Sequence, residues 1–184
     1  NERDKTMIYL DNAATSFPKP KETTESLNIF INEIGGNPGR SGHSLSVEAA
    51  RVVFEAREKL TDFINGDDSE RLIFTQNGTE SLNLAILGLV KDGDHVITTS
   101  LEHNSVMRPL MFLMMEKEIK LSIVQCDSLG RLDVSDLKRS VQKNTKAVII
   151  NHGSNVIGSV QPVGEIKQAI GDIALIVDAC QTIG

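Results

Sequence analysis

From residue 70 onward the chain alternates short, continuously apolar stretches with segments of helical periodicity, and few architectures accept that alternation. The stretches 71–75, 95–99, 120–124, 146–151 and 173–178 are β-branched or apolar and too short for helices, so each reads as a strand. Between them, 79–90, 105–118, 135–143 and 162–170 read as helices. Ser135 and Asp136 suit the opening of the third of these, and Pro162 that of the fourth. Strands apolar on both faces must be covered on both faces, which is the condition of a parallel sheet. The expected class is α/β, a three-layer sandwich around a mostly parallel sheet.

The first third reads differently. Met7-Ile8-Tyr9-Leu10 is a short extended piece, a helix is expected over 20–34, and Gly35 through His43 has the composition of a loop. Helix 46–64 follows, with Val47, Ala50, Phe54, Leu60 and Ile64 expected along its buried side. A chain of 184 residues suffices for one domain with a real core and is short for two.

Asp and Glu outnumber Lys and Arg by 25 to 19, and no basic run is interleaved with aromatics, so nucleic acid is not an expected partner. No apolar stretch approaches the roughly 20 residues of a membrane span. Asn1 through Thr6 has no apolar signal core, so the expected location is cytoplasmic. Cys126 and Cys180 are expected to be reduced. Cys180, close to Asp178, admits a reactive-thiol reading beside the ordinary one of a small buried hydrophobe.

In open α/β sheets ligands bind beyond the carboxyl ends of the strands. Strand 71–75 leads to Gly78 and Thr79, and 95–99 to Glu102 and His103. Strand 146–151 leads to His152, Gly153, Ser154 and Asn155, and 173–178 to Asp178 and Gln181. The exception, 120–124, leads into Gln125-Cys126-Asp127 and is placed nearer a sheet edge. A Gly-containing turn at a helix start favours a bound phosphate, although Thr79 also suits a plain helix cap. His43, His95, His103 and His152 each admit a structural role. Asn155 could simply stabilise the turn into Gly158. Asp178 is harder to dismiss, because a buried charge needs a partner and this strand end offers no Lys or Arg. A protonated ring nitrogen would supply one. No dinucleotide, P-loop, hydrolase-elbow or zinc-protease motif occurs, and no metal site is expected.

Several segments together resemble the class V aminotransferase family of pyridoxal-phosphate enzymes, and within it the cysteine desulfurases. They are Tyr9 through Thr15, Asn37 through His43, Phe74 through Ala85, Glu102-His103-Asn104, His152 through Gly158, and Val177 through Gly184. The resemblance implies the large domain of the fold-type-I enzymes, incomplete here. Residues 1–45 would be an N-terminal segment and active-site loop, and 46–184 the cofactor-binding domain. It implies that Gly78 and Thr79 bind the phosphate of pyridoxal 5'-phosphate. His103 would stack on the ring and act in catalysis, Asp178 would pair with the ring nitrogen, and Asn155 and Gln181 would bond around its phenolic oxygen. Asn12, Ala13, Ala14 and the 35–43 loop would line the substrate entrance.

Asn77-Gly78 stands where the family more often has Gly followed by a small residue. The family's lysine and nucleophilic cysteine fall beyond Gly184, and neither Cys126 nor Cys180 matches that cysteine. The resemblance therefore implies an N-terminal fragment, inactive alone, of a homodimer that turns L-cysteine into L-alanine and a persulfide for a sulfur-acceptor protein. The alternatives are a class V aminotransferase or lyase for another amino acid, and a non-catalytic binding domain.

Overall fold

The computed structural model describes residues 7–184, which divide into two compact units, one up to Phe74 and one from Thr75 to Gly184. The first is helical. Helix α1, Lys21–Ile29, widens into a π-helical turn at Phe30–Ile34 and ends at Gly35, whose φ of +56° suits a residue without a side chain. Helix α2 spans Ser44–Phe63, and its first turn is capped by His43, which accepts from the Ser46 N–H. Its apolar stripe is not buried. Val47 is 57% and Phe54 55% exposed, and the buried residues of α2 are Ser46, Ala49 and Thr61. Periodicity reveals that a stripe exists without saying what covers it.

The expected strand at 71–75 is also absent. Ser69–Arg71 forms a 3₁₀ turn, and residues 72–75 continue without joining a ladder among the described residues. Ile73 is 66% and Phe74 47% exposed. An apolar run becomes a strand only by pairing.

The second unit holds helix α3 (Gly78–Leu89), strand β1 (His95–Thr99), α4 (Asn104–Glu116), β2 (Lys120–Val124), α5 (Val134–Arg139), β3 (Thr145–Asn151), α6 (Val163–Ile170) and β4 (Ala174–Asp178). The four strands lie in the order β2-β1-β3-β4 and every pairing is parallel. Strand β2 is an edge, in keeping with the different polar tail at 125–127. The opening of α5 falls on Asp133, which accepts from the Ser135 N–H, two residues before the expected start.

Alternate residues of each strand feed two separate cores, as a pleated strand requires. Val96 and Ile149 pack with Leu82, Ile86, Val106, Leu110 and Leu113 of α3 and α4. Ile97, Val148 and Ile150 pack with Leu137, Ile166 and Ile170 of α5 and α6 on the other face. The unit is thus a three-layer α/β sandwich.

Ile149 is fully buried on a central strand, whereas Met115 is 82% exposed. Ile149→Ala should therefore cost about 2–5 kcal/mol in urea unfolding, and Met115→Ala less than about 0.5 kcal/mol.

Candidate active site

A crevice forms in an open α/β sheet where neighbouring strands send their connections in opposite directions. β1 leads through α4 to β2 on one side, and β3 leads through α6 to β4 on the other, so that point lies between the tips of β1 and β3. The loops leaving these two strands line a cavity of about 320 Å³, with Ser100, Glu102 and His103 on one wall and Ser154, Asn155 and Ile157 on the other.

His103 is oriented by its own helix. It caps α4, with Nδ1 accepting from the Ser105 N–H at 3.1 Å, so the proton of the neutral ring sits on Nε2. Ser105 Oγ lies 2.7 Å from His103 Nδ1 and 2.8 Å from Thr79 Oγ1, which joins Thr79 to the ring through one hydroxyl. Thr79 and His103 also share a second cavity, of about 440 Å³, with Asn83, Asn104, Ser105 and Arg108.

Thr79 can make that contact because it is not the cap of α3. Asn77 is, with Oδ1 accepting from the Glu80 N–H at 2.9 Å, while Glu80 Oε2 accepts from the Gln76 N–H at 2.7 Å. The amides of Gly78 and Thr79 then stand in the first helical turn, outside the intrahelical ladder. Gly78 meets the turn after β4. A Cβ built there would lie 2.6 Å from Cys180 Sγ, so the two turns approach more closely than a side chain allows. Gly153, after β3, is packed in the same way against Thr182.

Asp178 ends β4 and is 7% exposed. Its Oδ1 accepts from the Cys180 N–H at 3.0 Å, and its carbonyl accepts from the His152 N–H at 2.9 Å. Among the described residues no Lys or Arg forms an ion pair with it. A carboxyl buried without a cation suits a ligand that brings a ring N–H. Together with the phosphate-type turn at Gly78, this fits pyridoxal 5'-phosphate. Gln181 follows in the same turn, three residues after Asp178, and Asn155 stands across the switch-point cavity.

The other singled-out residues have structural partners. His95 is buried between Thr145 Oγ1 and Ser122 Oγ, and burial, with Lys120 nearby, lowers its pKa. His152 Nδ1 meets Thr182 Oγ1 at 2.8 Å. In the first unit Asn12 Oδ1 accepts from the Phe17 N–H. Partial burial, then Asp178, pushes the Cys180 thiol up to about 11, and burial also raises Cys126. Neither is a ready nucleophile.

Sequence reasoning missed Ser105, Arg108 and Gln161. Ser105 was legible, since it stands in the first turn of a helix that begins beside His103. Gln161 is buried and accepts from the Leu132 N–H while donating to the Gly130 carbonyl, a long-range brace with no local signature.

The sequence profile described as "Aminotransferase class-V" matches residues 8–184. Cysteine desulfurase IscS of Dictyoglomus turgidum is 39% identical over 184 residues, 96% of this chain and 45% of that protein. The IscS of Buchnera aphidicola subsp. Schizaphis graminum is 35% identical, covering 98% of this chain and 46% of its own length. Among solved structures, the apo cysteine desulfurase of Thermococcus onnurineus NA1 superposes with a TM-score of 0.88 at 36% identity, covering 95% of this chain and 44% of that one. A NifS-like protein gives 0.86 at 31% identity, over 96% and 50% of the two chains. The chain spans about half the length, or less, of the relatives it matches.

If the Gly78–Cys180 approach sets the turn, Gly78→Ala should lower stability by roughly 1–3 kcal/mol, the usual cost of overpacking. Adding Cys180→Ala should recover most of it in thermal melts; a second change that adds to the first would contradict the contact.

Proposed function

Since the chain belongs to the class-V aminotransferase family, we propose that the whole protein is a pyridoxal-phosphate-dependent cysteine desulfurase. It takes L-cysteine to L-alanine and leaves the sulfur as a persulfide. The observation that carries this reading is Asp178, a buried carboxyl without a cation at the tip of β4, whose following turn rests on Gly78.

In this reading the Gly78 and Thr79 amides and the Thr79 hydroxyl hold the phosphate, and Asp178 pairs with the ring nitrogen. Asn155 and Gln181 bond around the phenolic oxygen. His103 lies on the ring and holds a proton at Nε2, its tautomer set by the Ser105 N–H. Pyridoxal phosphate, when bound, supplies an electron sink for the α-carbon of an amino acid. Neither Cys126 nor Cys180 serves as the sulfur-accepting nucleophile, as their raised thiol pKa values agree. Residues 46–184 belong to the cofactor-binding large domain, and 1–45 to the segment and loop that border the substrate entrance. The protein acts in the cytoplasm as a homodimer and passes sulfur to an acceptor protein. The described residues contain no helix long and apolar enough to cross a membrane. The exposed apolar residues of α2, among them Val47, Phe54 and Phe63, are in keeping with self-association.

Alanine release from L-cysteine with loaded protein tests the activity; turnover of a different amino acid would replace this reading with an aminotransferase or lyase. Asp178→Asn should weaken pyridoxal phosphate binding on the order of a hundredfold, about 3 kcal/mol, in a fluorescence titration. Unchanged affinity would remove the ring-nitrogen pairing from the account.

A further inference from the structure

Glu102 stands at the switch point, in the loop that carries His103, and the functional reading gives it no task. Its carboxyl is gripped from the tips of two strands. Thr99 Oγ1, at the end of β1, donates to Oε1 at 2.7 Å and itself accepts from the Leu101 N–H at 3.2 Å. From the end of β3 the backbone amide of Asn151 faces the same carboxyl, and Asn151 Nδ2 donates to the Leu101 carbonyl at 3.3 Å. The remaining oxygen, Oε2, is buried with no hydrogen-bond partner among the described residues. A carboxylate oxygen sealed from water without a donor is costly, whereas the neutral acid places its proton there and keeps Oε1 as the acceptor for Thr99.

The charges around it agree. Asp178 approaches from β4 with a like charge, and the Cys126 thiol, following β2, shares Thr99 as a neighbour. His103 is next in the chain. Among the described residues no Lys or Arg acts on the group. Asn151 and Asp178 are direct register partners, so a second charge at Glu102 would bear on the residue proposed to hold the ring nitrogen.

We infer that Glu102 is a positioning residue whose carboxyl, as the neutral acid, ties the tip of β1 to the tip of β3 and so fixes the loop bearing His103. The inference rests on the reading of this crevice as the cofactor site. Burial, partly opposed by hydrogen bonds from the Thr99 hydroxyl and from the Asn151 and Thr99 backbone amides, pushes Glu102 from 4.5 up to about 7. A folded-state acid raised in this way retains its proton where the unfolded chain has lost it. Stability therefore falls as pH rises from about 4.5 to about 7, and levels above that.

The test compares the wild-type protein with Glu102→Gln and Glu102→Leu by thermal melts from roughly pH 5 to pH 8, and by pyridoxal phosphate titration of each variant. The melting difference between wild type and Glu102→Gln should shift against the wild type as pH rises to about 7 and then flatten. The Gln variant, which keeps both hydrogen-bonding positions, should bind within about threefold of wild type, and the Leu variant at least about tenfold more weakly. Thr99→Val removes the donor to Oε1 without touching Glu102 and should weaken binding in the same direction. A pH-independent difference, or wild-type affinity in both Glu102→Leu and Thr99→Val, would overturn the inference. Wild-type protein that binds no pyridoxal phosphate would overturn the cofactor reading, and the positioning role with it; a Leu variant that binds normally beside a binding wild type overturns the positioning role alone.

Discussion

All strands of a parallel sheet end at one edge, and the polar groups that follow them are delivered to the same place. In this protein that edge holds a buried acid at the end of β4, a helix-capping histidine beyond β1 and a first-turn threonine of α3, linked through Ser105 and the Gly78–Cys180 approach. The two hydrophobic layers hold that edge still. Val96 and Ile97 face opposite cores, so a one-residue slip of β1 would send each into the core packed for the other. The register that matches both cores is the register that puts Thr99 beside the loop of His103.

Two close approaches close the edge laterally. Gly78 lets the Cys180 turn sit on the start of α3, and Gly153 lets Thr182 sit on the loop after β3. Each brings a polar loop nearer its neighbour than a Cβ permits, which keeps Asp178 buried while its backbone bonds to His152. The thiol of Cys180 fills space in this arrangement, and its raised pKa accords with packing as its role.

Much of this was legible in the sequence because parallel strands buried on both faces leave a plain signature. The strands at 95–99, 120–124, 146–151 and 173–178 correspond to β1–β4 within a residue at either end. Reading the polar residues after each strand singled out His103, Asn155 and Asp178, which stand at or just beyond the ends of β1, β3 and β4, whereas Thr79 was reached through a strand at 71–75 that does not form. The strand at 71–75 and the buried stripe of α2 failed for one reason: an apolar run or stripe reports a propensity, and pairing or burial is decided by partners elsewhere. Residues 72–75 lack a ladder, and Val47, Phe54 and Leu60 lie open along α2. The α3 cap moved to Asn77 because an Asn with Glu three residues on satisfies two amides, a better local solution than Thr79. Gln161 acts across the fold, and spacing carries no trace of that.

The central claim is spatial, and a crystal structure of the protein soaked with pyridoxal 5'-phosphate tests it most directly. The account predicts phosphate density against the Gly78 and Thr79 amides, with the ring nitrogen within hydrogen-bond reach of the Asp178 carboxyl. Density that places the phosphate elsewhere, or turns the ring nitrogen away from Asp178 in a well-occupied site, would contradict it.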